Sequence, residues 1–108
     1  MILEVATLQV HEGKEIEFET VFARASSAIS TAKGYLGHEL NRCLERKGHY
    51  VLLVRWESVD AHTVSFKASS EYEEFRRSIH PFYVKSPEAL HYESVEGGLS
   101  ESSRSTRR

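Results

Sequence analysis

From Ile2 to Val10 the chain is apolar and β-branched with a rough period of two, and His11-Glu12-Gly13 follows as a turn, so the first element is a strand. The period then lengthens. Phe18, Val21, Phe22, Ala25, Ile29 and Ala32 recur at helical spacing while Glu15, Glu17, Glu19 and Arg24 take other faces, which predicts one amphipathic helix of about five turns closed by Lys33-Gly34. A second strand is expected over residues 35–45. Arg46-Lys47-Gly48 then turns the chain into residues 49–57, whose Tyr-Val-Leu-Leu-Val centre is the strongest strand signal and is apolar on both faces. Ser58 caps a short helix reaching about Lys67, and Ser70 with Glu73 forms a capping box for another that ends near Ile79, ahead of Pro81. A last strand is expected over residues 89–95. Residues 97–108 are mostly Gly, Ser and Arg with Leu99 as the one apolar side chain, and read as a disordered tail.

The order β-α-β-β-α-β defines an α+β class, the split βαβ or ferredoxin-like arrangement with a four-stranded antiparallel sheet, over residues 1–96. Two helical units cover one face of such a sheet. The third strand, however, offers Tyr50, Leu52, Val54 and Trp56 on one side and Val51 and Leu53 on the other. An apolar sheet face is rarely left in water, so a homodimer joined through the sheet faces is expected.

Composition narrows the function classes. Fourteen Lys and Arg stand against sixteen Asp and Glu, a net charge of −2, and the tail is basic, so the body is more acidic still. Phosphate neutralisation needs a basic stripe, which argues against nucleic acid as a partner. One cysteine, Cys43, makes no internal disulfide, and no apolar run approaches the roughly 18 residues of a membrane span. The chain therefore reads as cytoplasmic, with no membrane partner. It has no phosphate-binding glycine loop, no dinucleotide fingerprint and no Gly-x-Ser-x-Gly elbow.

The six histidines include no pair at metal-ligand spacing along a helix, so no metal site is expected. His62 falls on the buried stripe of its helix with Val59 and Phe66, and His80 lies one turn beyond Arg76 at a helix end. Either histidine is explained equally well by a bond to a backbone carbonyl left open at a helix terminus. Trp56 ends its strand where two histidines and an arginine lie on the helices that cross it. An apolar pocket with a few polar groups is the usual form of a site for a flat organic ligand.

In these features the chain resembles the antibiotic biosynthesis monooxygenase family of small dimeric α+β barrel proteins. The similarity runs from the Glu12-Gly13-Lys14 turn and Phe18-Glu19 through Gly34-Tyr35-Leu36-Gly37 and Tyr50-Val51-Leu52-Leu53. It continues with Trp56-Glu57-Ser58, Ala61-His62, Phe66, Tyr72 and Pro81-Phe82-Tyr83. The resemblance implies a cofactor-independent monooxygenase that oxidises an aromatic, electron-rich small molecule with dioxygen in a pocket between sheet and helices. It implies His62, Arg76 and His80 as catalytic residues, with His62 the base and Arg76 the holder of a phenolate. It implies Trp56, Phe66, Tyr72, Phe22 and Phe82 as substrate-binding residues, with Trp56 on the pocket floor. Haem is the alternative cofactor, with His80 as its axial ligand, although Ala6 stands where the haem-degrading branch has an asparagine. A module that binds a hydrophobic ligand without turnover is the reading from a different class.

Overall fold

Four strands form one antiparallel sheet in this computed structural model, which describes residues 1–97: β1 (Ile2–Gln9), β2 (Tyr35–Arg42), β3 (His49–Trp56) and β4 (Glu88–Tyr92). They lie in the order β2-β3-β1-β4, so the two strands richest in apolar residues are central. This is the ferredoxin-like α+β arrangement. The helical elements are α1 (Glu15–Ala25), α2 (Ser27–Ser30), a π-helical segment Ala61–Phe66, α3 (Ser70–Ile79) and a 3-10 turn His80–Phe82. The expected tail falls, but for its first residue, outside the described residues.

Register decides which side chains meet. Glu4 pairs with Val54 and His91, Ala6 with Leu52 and Ala89, and Leu8 with Tyr50. Because successive residues of a strand face opposite ways, these positions share the face that the helices cover. There Ala6, Leu8, Tyr50, Leu52, Val54 and Trp56 pack against Phe18, Phe22, Ile29, Phe66, Phe75 and Ile79. The opposite face carries Leu3, Val5, Val51 and Leu53, all half-buried, with Leu90 and Tyr92 about half exposed.

Several boundaries differ from the sequence expectation. The single helix expected over residues 14–32 is two, broken at Ser26. The hydroxyls of Ser26, Ser27, Ser30 and Thr31 each donate to the carbonyl three residues back, competing with the helical ladder and bending it. Helix α3 is capped by Ser69 rather than Ser70, since it is the Ser69 hydroxyl that accepts from the Tyr72 amide at 3.1 Å. The last strand ends at Tyr92 because its partner β1 ends there: Tyr92 faces Leu3, and only one further residue of β1 remains. The segment after Ser58 is wound as a π-helix. Its wider turn is closed by the Lys67 amide donating to the His62 carbonyl at 3.2 Å, while the Ser58 hydroxyl accepts from the Ala61 amide. Val59, expected beside His62 on the buried stripe, is exposed.

Gly34 holds the α2–β2 connection against this π-helical segment. Its φ of +85° is left-handed, and a Cβ there would stand 2.6 Å from the Ala61 Cβ. Glycine satisfies both demands at once.

Candidate functional site

Glu4 lies on the helix-covered face of a central strand, only 6% exposed, where every neighbouring inward position of β1 is apolar. A carboxyl so placed must be held by donors. The Trp56 indole Nε1 donates to Glu4 Oε1 at 2.9 Å, and Nε2 of His62 lies 3.5 Å from the same oxygen. His62, 4% exposed, stacks on the indole with ring centroids 5.3 Å apart and planes 20° apart. Its other nitrogen, Nδ1, is 2.9 Å from Nε2 of His91 on β4. One hydrogen lies between those two nitrogens, so one imidazole donates and the other accepts. Four residues from β1, β3, the π-helical segment and β4 thus meet in one cluster, two hydrogen-bonded pairs joined by the 3.5 Å contact of His62 with Glu4. No buried side-chain nitrogen or oxygen among the described residues lacks a partner.

The burial sets the charge states. Desolvation lifts the Glu4 carboxyl above its usual range, opposed by the Trp56 hydrogen bond and by the charges of His91 and Lys67. Desolvation, Lys67 and His91 together push His62 down to about 4, so its ring is neutral at pH 7. The contact between His62 and Glu4 is therefore not a standing ion pair.

Beside the cluster a pocket of about 260 Å³ opens between the sheet and α3. Ala6, Leu8 and Leu52 give it an apolar floor, Glu4 and His62 one polar wall, and Tyr72, Phe75, Arg76 and Ile79 of α3 the other. His80 and Tyr83 continue that wall past the helix end, and burial raises the Tyr83 phenol. The amphipathic spacing of α3 accounts for its contribution: Phe75 and Ile79 are buried while Arg76 and His80, the next position in each case, are exposed at the rim.

Of the residues expected from sequence, His62, Arg76, His80 and Tyr72 line this one pocket. Trp56 is fully buried one layer behind His62 and does not form the floor. Phe66 sits behind it as well, 5.5 Å from the Trp56 ring and 5.2 Å from that of Tyr72. Phe22 packs among Phe18, Phe75 and His38, and Phe82 against Phe18, so these two rings lie in the core on the α1 side. Glu4 and His91 were not singled out from sequence. Glu4 was legible as the polar member of the even-numbered set Ala6, Leu8, Val10, which otherwise faces the core. His91 shares its phase with Ala89, but its partner His62 is 29 residues away and no local pattern links them. Among the described residues no group of three or more His, Cys, Asp or Glu side chains is placed to hold a metal ion, and no helix is long and apolar enough to cross a membrane.

Residues 1–78 match the antibiotic biosynthesis monooxygenase family. The chain belongs to that family. It is 43% identical over 95 residues to the uncharacterized protein YczJ of Bacillus subtilis strain 168, spanning 88% of this chain and all of that one. Among solved structures it is similar to a candidate antibiotic biosynthesis monooxygenase of Bordetella bronchiseptica, with a TM-score of 0.85 and 34% identity over 88% of this chain and 97% of the other. It also shares its fold with SnoaB, a cofactor-independent oxygenase of Streptomyces nogalater, with a TM-score of 0.78 at 22% identity over 92% of this chain and 97% of that one.

Proposed function

We propose that this chain is a monooxygenase that oxidises an aromatic, electron-rich small molecule with dioxygen, without metal, flavin or haem, in the pocket under α3. The observation that carries the reading is one pocket on an apolar floor with Arg76 and His80 on one wall and the Glu4–His62 pair on the other. A phenol held there meets a fixed cation for its oxygen and an acid–base pair for its proton. Phenol plus dioxygen gives quinone plus water, so the substrate supplies all the electrons and no external reductant enters. Arg76 stabilises the phenolate, which is the electron-rich form that reacts. Tyr72 and Phe75 flank the ring, and Trp56 and Phe66 fix His62 and Tyr72 from behind. The fold of SnoaB, a cofactor-independent oxygenase, supports this reading.

Haem does not fit the residues present. A space of about 260 Å³ falls below the roughly 300–1,000 Å³ of most small-molecule sites and accommodates fused aromatic rings rather than a porphyrin. Added hemin is therefore expected to show no saturable Soret shift dependent on His80. A second copy of the chain is proposed to cover the outer sheet face through Val5, Val51 and Leu53.

Oxygen uptake over a panel of hydroxylated polycyclic phenols, with chelator present and no flavin added, tests the activity. Uptake is expected to match quinone formation one to one and to fall at least about tenfold in Arg76→Ala, the loss of one charge-assisted hydrogen bond to the anion. Phenol that binds and is recovered unchanged by mass spectrometry would instead make the protein a ligand-binding module.

A further inference from the structure

We infer that Glu4 is the proton acceptor of the pocket, a carboxyl held on the sheet by Trp56 with His62 beside it. The inference rests on the pocket taking a phenolic ligand, and deepens that reading by naming the group that ionises it.

A central strand needs no carboxyl among Ala6, Leu8, Val54 and Leu52, and burying one costs several kcal/mol unless it is held by donors. Trp56 and His62 provide that hold, and both their contacts fall on one oxygen, Oε1. Glu4 also lines the pocket, within reach of a ligand there. His62 lines it too, but an imidazole pushed down to about 4 holds a proton roughly three hundredfold less well than a free one. It is the poorer acceptor of the two. The raised Glu4 carboxyl is the stronger base, in line with the tuning expected of a general base working near neutral pH. The charged and titratable groups around it come from every packed element. They are His91 on β4, His62 and Lys67 from the π-helical segment and its end, Tyr72 and Arg76 on α3, and His80 and Tyr83 beyond. His91 and Lys67 are the charges that favour its carboxylate form.

In the step, the ligand O–H bond breaks, its proton forms an O–H bond on Glu4, and the electron pair stays on the ligand oxygen facing Arg76. The proton stays on Glu4 while the phenolate is bound, and when the ligand leaves Glu4 returns it to water entering the pocket.

The test uses 4-nitrophenol, whose phenolate absorbs separately from the phenol, and protein carrying carbon-13 at its glutamate carboxyls. On binding at pH 7 the phenolate band is expected to appear while the Glu4 resonance, identified by its absence in Glu4→Gln or Glu4→Asp, moves to the protonated position. In Glu4→Gln the bound phenol is expected to ionise at least about one pH unit higher, a tenfold loss of acidity. Ionisation of the bound phenol with an unmoved Glu4 resonance, a bound phenol that stays neutral, or no binding at millimolar probe would each overturn the assignment. Oxygen plays no part in this measurement, so it separates from the oxygenase test. A protein that ionises the probe and never consumes oxygen keeps Glu4 as its base and loses the oxidation.

Discussion

His62 and Glu4 act on stability in opposite senses as pH changes. An unfolded chain protonates its His62 near pH 6.5, the folded one near 4. Between those values the unfolded state binds the extra proton, and acidification destabilises the fold by up to roughly 3 kcal/mol from this residue. Glu4 runs the other way, because its folded carboxyl keeps a proton above 4.5 that the unfolded one has released, so acidification through that window favours the fold. The two contributions partly cancel. Glu4→Gln is expected to unmask the histidine: urea unfolding at a series of pH values should show a steeper fall from pH 6.5 to 4 than in the parent protein. An unchanged slope would mean that the Glu4 carboxyl titrates alike in the folded and unfolded chain. At this scale the sequence was only half legible. His62 was visible from helical phase and Glu4 could be read from strand phase, whereas His91 acquires its partner only through tertiary structure.

Helix ends and turns set the next level. Ser69 accepts the Tyr72 amide, so Ser69→Ala is expected to cost about 1 kcal/mol and Ser70→Ala far less, as measured by thermal or urea unfolding. Equal effects would restore the capping box centred on Ser70. Gly34→Ala is expected to be worse, at about 1–2 kcal/mol for the left-handed backbone alone, with a methyl 2.6 Å from the Ala61 Cβ added to it. Placing the same change in an Ala61→Gly background should recover the steric part and not the backbone part. Strand and helix order came directly from hydrophobic period. The break at Ser26 and the π-helical turn at 61–66 did not. They depend on where hydroxyls bond back to the chain and on how closely Gly34 lets Ala61 approach, and neither leaves a periodic trace.

For the whole molecule, the outer sheet face bears on assembly. Val51→Lys with Leu53→Lys is expected to halve the mass seen by light scattering while leaving the helix-side core intact, and a parent protein already monomeric at micromolar concentration would end the dimer proposal. Removing residues 97–108 is expected to change neither the number of subunits nor the unfolding midpoint. The class of fold was legible because six elements with clean periods allow few arrangements, while the pocket was legible only in outline, since its two polar walls come from opposite ends of the chain. Trp56 adds a convenience to this arrangement. It is the sole tryptophan, is fully buried, lies flat on His62 and is bonded to Glu4. Its emission is therefore a built-in optical gauge, unmixed with any other indole, that reports dimming when the neighbouring imidazole gains a proton and a red shift when the sheet comes apart.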